Sequence, residues 1–224
     1  RIFVSFPGEY PEFSRDRIHL VGNPVRDMRG GAAANILEKL VLSDERPVVL
    51  VVGGSQGARQ VNELMLEAAE ELSAFVSIIH QTGEGNIAAV QKRAEQLSKR
   101  ARQCYRPIAF LSEQDMRDAY AAAALVVSRA GSSVLFELAL LKKPSILIPL
   151  MSAAAGHQEE NARIYQAAGA CALLNARTAT PAELVTAVAG LVAAPKRLAQ
   201  MGEAAGTFAK PQAAATIAQT ILKI

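Results

Sequence analysis

The chain has 224 residues, half of them hydrophobic, with a formal net charge of +3 and two cysteines. This length suits one large domain or one and a half small ones. The scattered positive charge, without an aromatic-rich binding surface, argues against a nucleic acid partner. Two cysteines without a C-x-x-C motif favour a reducing compartment and no structural zinc, and we expect neither a membrane span nor a signal peptide.

The first quarter of the chain predicts short elements followed by a linker. Arg1–Ser5 and Ile18–Val21 are short apolar runs that favour strands. The segment Gly22-Asn23-Pro24-Val25-Arg26 follows the second run, and Pro24 forces extended backbone on Asn23. A short helix is predicted over Asn35–Leu40. The segment therefore indicates a strand that runs into a linker.

The most informative stretch is a strand, a glycine-rich turn and a helix between Pro47 and Leu72. Val48–Val52 is an unbroken, mostly β-branched run, typical of a strand buried on both faces of a parallel sheet. The turn that follows is Gly53-Gly54-Ser55-Gln56-Gly57. A helix is predicted next from apolar residues at helical spacing, namely Val61, Leu64, Met65, Ala68, Ala69 and Leu72. Since a helix N-terminus attracts anions, the turn is a candidate phosphate site.

Other interpretations of this turn remain open. It lacks the Gly-Lys-Ser/Thr ending of a P-loop and the glycine spacing of dinucleotide-binding proteins. It does match the G-x-S-x-G nucleophile elbow of serine hydrolases, with Ser55 as nucleophile. That hypothesis needs His157 as the base and Asp115 or Asp118 as the acid. A turn whose glycines serve only close packing is the third possibility.

The rest of the chain alternates strands and helices, which predicts an α/β fold with a Rossmann-like, doubly wound parallel sheet. The predicted strands are Val76–His80, Tyr105–Leu111, Leu125–Ser128, Ser145–Leu150 and Ala170–Leu174. The predicted helices are Ile87–Arg102, Glu113–Ala123, Val134–Leu141, His157–Ala168, Ala182–Ala193, Lys196–Phe208 and Ala213–Lys223. Thr180 and Glu183 form a predicted capping box.

Polar segments follow several predicted strands, where ligands bind in a doubly wound sheet. They are Gly53–Gly57, His80–Gly83, Ser128–Ser133 and Leu150–Gln158. Glu137 fits either helix stabilisation or acceptance of ribose hydroxyls, and Arg26 either a solvated charge or a diphosphate contact. His157 and Gln158 fit helix capping or bonds to sugar hydroxyls. His80 is more typical of a hydrogen-bonded structural histidine than of a base.

Several short motifs occur along the chain in a fixed order. They are Gly22-Asn23-Pro24-Val25-Arg26, Gly53-Gly54-Ser55-Gln56-Gly57-Ala58-Arg59 with Asn62, His80-Gln81-Thr82-Gly83, Ser128-Arg129-Ala130-Gly131, Glu137-Leu138, and His157-Gln158 with Asn161-Ala162. Together these motifs resemble the MurG glycosyltransferase family of peptidoglycan synthesis. The resemblance covers roughly Val21 to Leu174, and the combination is more specific than any one piece.

The resemblance implies one domain of a two-domain GT-B hexosyltransferase that binds UDP-GlcNAc. Residues 1–25 would be the end of an N-terminal domain plus the linker, 26–206 would form the donor-binding domain, and 207–224 would form a helical tail. By resemblance, the diphosphate would meet Ser55, the amides of Gly54, Gln56 and Gly57, and Arg26. Leu111 would lie against uracil, and Gly131, Ser132, Ser133 and Val134 would surround the nucleotide. Glu137 would accept the ribose hydroxyls, and His157 and Gln158 would contact the GlcNAc hydroxyls.

The same resemblance implies an inverting transfer of GlcNAc to a lipid-linked acceptor, lipid I, to give lipid II. It implies no catalytic metal or other cofactor. The general base and the acceptor and membrane contacts would belong to the N-terminal domain, so the catalytic base is unassigned and this chain alone is expected to bind only the donor. The complete protein would be peripheral at the cytoplasmic face of the bacterial inner membrane. Another UDP-sugar transferase or an epimerase is the alternative within the fold.

Overall fold

The computed structural model describes residues 1–53, 58–149 and 156–223. Its N-terminal part holds two short parallel strands, β1 (Ile2–Val4) and β2 (Ile18–Leu20), with Ile2 opposite Ile18. A linker then leads to helix α1 (Ala33–Lys39). Gly22 in this linker has φ +82°, and a Cβ there would lie 2.4 Å from the Lys210 side chain. Glycine at this position therefore allows both the backbone geometry and the close approach.

Six parallel strands of the described chain form the main sheet, in the order β5-β4-β3-β6-β7-β8. The sequence predicted this fold class, and it is confirmed. The strands are β3 (Val48–Val52), β4 (Ser77–Gln81), β5 (Tyr105–Ile108), β6 (Ala123–Ser128), β7 (Ser145–Leu147) and β8 (Cys171–Leu173).

Helices cover both faces of the sheet. The helices after α1 are α2 (Arg59–Leu72), α3 (Ile87–Ala94), α4 (Lys99–Cys104), α5 (Glu113–Ala122), α6 (Ser132–Leu140), α7 (Gly156–Ala167), α8 (Pro181–Val192), α9 (Pro195–Gly206) and α10 (Ala213–Ile221). On one face, α2, α3 and α8 pack over Val49 and Val51, and on the other, α1, α5 and α6 pack over Val48, Leu50 and Val52.

Two predicted helices differ from those observed. The single helix expected over Ile87–Arg102 is two helices, because Ser98 accepts the Ala101 N–H and begins α4 as its N-cap. Helix α6 begins at Ser132 rather than Val134. The predicted capping box of Thr180 and Glu183 is confirmed at the start of α8.

Aromatic side chains join the N-terminal segment to the main domain. Phe6 is buried, and its ring lies 5.0 Å from that of Phe136 on α6. It also contacts Tyr165 of α7 and Phe208, whose rings stack 4.4 Å apart. This packing fixes the segment after β1 against α6 and α7. Within the described ranges, no helix has the length and apolar character needed to cross a bilayer.

Candidate nucleotide-sugar site

The strand order reverses between β3 and β6, which places a crevice at their carboxyl ends. Gly54, Ser55, Gln56 and Gly57 follow β3 and lie outside the described residues. The helix after them, α2, begins at Arg59. The predicted strand and helix on either side of the turn are therefore confirmed, and the roles of the four turn residues stay predictions.

The linker contacts the first two turns of α6. Asn23 Nδ2 donates to Ser133 Oγ at 3.1 Å, and Arg26 Nη2 lies 3.3 Å from Glu137 Oε1. Arg26 is separated from Glu137 by 111 residues in sequence. The Gly-Asn-Pro-Val-Arg segment thus fixes the linker beside α6.

Glu137 is a buried acid of the crevice whose carboxylate contacts two hydrogen-bond donors. Its side chain is 8% exposed, whereas that of Arg26 is 55% exposed. The Tyr120 hydroxyl on α5 donates to Glu137 Oε2 at 3.0 Å. Burial raises the pKa of Glu137, while the bonds from Tyr120 and Arg26 act to lower it. Each carboxylate oxygen has two lone pairs, so Glu137 can accept further hydrogen bonds.

The turn before α6 presents polar groups that lack partners. Gly131 is the N-cap, and Ser132, Ser133 and Val134 form the first helical turn. Ser132 Oγ is buried and has no hydrogen-bond partner within the described part of the chain. Arg129 Nε is also buried without a hydrogen-bond partner in the described residues. Burial lowers the pKa of Arg129. Buried groups of this kind usually bond to something, so a ligand oxygen fits here.

His157 lies in the first turn of α7, where it is exposed. With Ser132 and Asn161 it lines an open cavity of about 720 Å³, whose other side is formed by residues of the segment 4–12. Asn161 Nδ2 donates to the Ala130 carbonyl at 3.2 Å, which ties α7 to the turn before α6. Gln158 follows His157 on this helix and is partly buried. The structure thus brings two of the predicted site residues, Ser132 of α6 and His157 of α7, to one cavity.

Buried polar side chains connect α2, β4 and β5. Asn62 Nδ2 donates to the Thr82 carbonyl at 2.9 Å, so Asn62 Oδ1 is the atom that faces His80 Nε2 at 3.0 Å. His80 Nδ1 lies 2.7 Å from the Tyr105 hydroxyl. Burial lowers the pKa of His80 to about 3. His80 is therefore neutral and structural, as the sequence predicted.

Leu111 lies on the far side of β3 from Glu137. It is 3% exposed, and its N–H donates to Gln81 Oε1 at 2.9 Å. Phe110 beside it is 54% exposed. The N–H of Leu111 therefore already has a protein partner and is not free for a base. The contact of Leu111 with uracil stays a prediction.

The acids of the serine hydrolase hypothesis are occupied elsewhere. Asp118 of α5 accepts hydrogen bonds from the Ala32 N–H and from Asn35 Nδ2, and so holds the N-terminus of α1. Asp115 bonds Lys39 and Ser112. Within the described residues, neither aspartate pairs with His157, so the acid–histidine pair that a triad requires is not assembled.

Comparison with known proteins decides the family. Residues 48–219 match the glycosyltransferase family 28 C-terminal domain. The chain belongs to this family.

Curated relatives match along nearly the whole chain. One from Anaeromyxobacter sp. (strain Fw109-5) is 34% identical over 99% of this chain and 56% of its own length. One from Treponema pallidum (strain Nichols) is 35% identical over 99% of this chain and 59% of its own length. Both are named UDP-N-acetylglucosamine--N-acetylmuramyl-(pentapeptide) pyrophosphoryl-undecaprenol N-acetylglucosamine transferase. The chain spans a little over half the length of these relatives.

Solved structures agree with this family. The crystal structure of Acinetobacter baumannii MurG is 25% identical, with a TM-score of 0.75 over 99% of this chain and 60% of that one. An S. aureus MnaA–UDP structure is 14% identical, with a TM-score of 0.67 over 92% of this chain and 54% of that one, and shows the fold alone. The GT-B type of domain that the sequence predicted is confirmed.

Sequence reasoning missed three residues that follow the strands of this sheet or lie beside Glu137. Tyr120 holds Glu137, Arg129 carries an unpaired buried Nε, and Phe110 exposes a ring beside Leu111. A tyrosine on an otherwise apolar helix face was a usable signal, because a buried tyrosine hydroxyl needs a partner. Arg129 belongs to the motif Ser128-Arg129-Ala130-Gly131, whose pattern alone predicts no role for its side chain.

Proposed function

We propose that this chain is the donor-binding part of a hexosyltransferase that moves GlcNAc from UDP-GlcNAc to undecaprenyl-pyrophosphoryl-MurNAc-pentapeptide. One observation carries the proposal: a buried, hydrogen-bonded carboxylate, Glu137, stands in the second turn of the helix that follows β6. The strand order reverses at β6, where ligands bind in a doubly wound sheet. Support comes from relatives whose names state this reaction.

The roles of the residues follow from their chemistry. Glu137 accepts the two ribose hydroxyls, and Tyr120 and Arg26 hold its carboxylate in place. The N-termini of α2 and α6 face the diphosphate with their free N–H groups. Ser55, with the amides of its turn, serves the same anion. Ser132 and the cavity beside His157 and Gln158 receive the sugar.

In the proposed reaction the acceptor hydroxyl attacks the anomeric carbon while the bond to UDP breaks, so the configuration inverts. Negative charge grows on the diphosphate, and preorganised donors stabilise that charge more in the transition state than before it. Arg26 is half exposed, and its guanidinium has donors to spare for a phosphate oxygen. The base that deprotonates the acceptor is not assigned to this chain.

The proposal includes turnover without a metal or an organic cofactor, because helix N-termini and arginine supply the positive charge. We expect UDP affinity to be unchanged by excess EDTA and by added Mg²⁺. A titration in each condition checks this, and a tenfold gain with Mg²⁺ would contradict it. The complete protein is proposed to act at the cytoplasmic face of the bacterial inner membrane, since an undecaprenyl acceptor is a membrane lipid.

Calorimetric titration of UDP, UDP-GlcNAc and ADP tests the donor site. We expect both uridine ligands to bind and ADP not to bind. Glu137→Gln removes one acceptor oxygen and the negative charge, which should weaken UDP about 10- to 100-fold, since bonds to a charged group contribute about 1.5–3 kcal/mol. Glu203→Gln is the matched control, because Glu203 is an exposed acid paired with Lys142. Equal affinities in the two variants would refute the assignment of Glu137.

A further inference from the structure

We propose that Gln81 is a positioning residue that makes the site select uracil over cytosine. The inference rests on the proposed function and concerns how the nucleotide base is read. Gln81 is the last residue of β4 and is 3% exposed. Its neighbour His80 points to the opposite face of the sheet, towards α2, so the two side chains have separate tasks.

Three hydrogen bonds from the end of β4 hold the segment after β5. Thr82 N–H donates to the Ile108 carbonyl at 2.8 Å, and Gly83 N–H donates to the Ala109 carbonyl at 3.0 Å. Gly83 has φ +85°, which turns the chain away from β5. The backbone of β4 therefore no longer reaches the next peptide. The Gln81 side chain does so instead, accepting the Leu111 N–H at 2.9 Å.

This bond fixes the orientation of the peptide between Phe110 and Leu111. In a trans peptide the N–H and the C=O point in opposite directions, and the described chain contains no cis peptide. Since the Leu111 N–H points at buried Gln81, the Phe110 carbonyl points away from it. A hydrogen-bond acceptor, not a donor, is thus presented on the side away from the protein interior.

An outward acceptor distinguishes the two pyrimidines. Uracil carries a hydrogen on N3 and can donate to a carbonyl, whereas cytosine N3 is an acceptor and would oppose it. The half-exposed ring of Phe110 adds an apolar surface on which a base can stack. Without Gln81, the peptide can turn and offer its N–H, which cytosine N3 would accept. Gln81 therefore acts on base choice through the peptide, without touching the base.

The inference is tested by measuring the dissociation constants of CDP and UDP for the wild type, Gln81→Met and Gln81→Glu, and comparing their ratio among the three proteins. We expect wild type to prefer UDP at least tenfold. Gln81→Met has a similar shape and no oxygen, so UDP should weaken about 3- to 10-fold, as for one lost hydrogen bond, while CDP stays equal or improves. Gln81→Glu keeps an oxygen acceptor and should keep the preference. His80→Gln is the control, which should leave the ratio unchanged.

The outcomes separate the two proposals. Failure of the wild type to bind UDP would refute the proposed function, and this inference with it. If UDP binds and the ratio of the CDP and UDP dissociation constants is the same in wild type and Gln81→Met, only the role of Gln81 is refuted. An equal loss of affinity for both nucleotides would show that Gln81 has only a structural role. If Gln81→Met does not fold by circular dichroism, Gln81→Glu decides, because loss of its UDP preference would overturn the inference.

Discussion

The buried polar groups near the carboxyl ends of β4 and β6 differ in whether they have hydrogen-bond partners. Around the end of β4, His80, Gln81, Thr82 and the neighbouring Asn62 of α2 are all buried and hydrogen-bonded to protein groups. After β6, by contrast, Ser132 Oγ and Arg129 Nε are buried without a partner in the described ranges. The first region has its shape fixed before any ligand arrives, and the second has bonding capacity left for one.

The largest expected effect is a stability loss in the bonded region. His80→Ala leaves Asn62 Oδ1 and the Tyr105 hydroxyl without partners, and each such group costs about 1–3 kcal/mol. We expect urea denaturation to show a loss of about 3 kcal/mol. The control is His157→Ala, which removes an exposed histidine and should stay within about 0.5 kcal/mol. Similar losses in both would erase the contrast between the two regions.

A smaller effect is expected from pH. The folded pKa of His80 is about 3, against an ordinary 6.5, so only the unfolded chain binds a proton between these values. The stability that His80 provides is complete above pH 6.5 and is lost as the pH falls towards 3. Between pH 7 and 5 we expect the wild type to lose about 2 kcal/mol more than His80→Gln.

Denaturation curves of both proteins across this pH range measure the difference. The raised pKa of Glu137 acts with the opposite sign, because its contribution to stability falls as the pH rises. Because both proteins carry Glu137, its contribution cancels in the comparison. Parallel pH profiles would mean that His80 is protonated normally in the folded state.

The smallest effects compare two serines. Ser98→Ala removes the N-cap of α4 and should cost about 1 kcal/mol of stability without changing UDP affinity. Ser132→Ala removes a hydroxyl that has no protein partner, so stability should change by less than about 0.5 kcal/mol. Its UDP-GlcNAc affinity should fall about 3- to 10-fold, since a ligand bond is lost. Unchanged affinity would remove Ser132 from the site.

The main elements could be predicted because they depend on local patterns. Val48–Val52 is predicted and observed as a strand with the same ends, since an unbroken apolar run that is mostly β-branched has few alternatives. The division between α3 and α4 was missed because a serine within a helical pattern is also compatible with a continuous helix. Propensity is a weak signal there, and the N-cap bond decides.

The site could be predicted only in part, because its decisive contacts join distant residues. Arg26 and Glu137 were each singled out, yet their ion pair depends on how the linker crosses α6. The bond between Gln81 and Leu111 requires the register of β4 and β5, which periodicity does not give. Spacing in the sequence indicates the candidate residues, and packing determines which of them meet.

The donor and acceptor roles along the hydrogen-bond chain through His80 are fixed, so the imidazole has a single tautomer that NMR can detect. The Thr82 carbonyl can only accept, so the amide of Asn62 is fixed, His80 carries its hydrogen on Nε2, and the Tyr105 hydroxyl donates to Nδ1. Nitrogen NMR should therefore show one imidazole frozen in a single tautomer across neutral pH. With three histidines in the chain, that resonance can be assigned from a single variant.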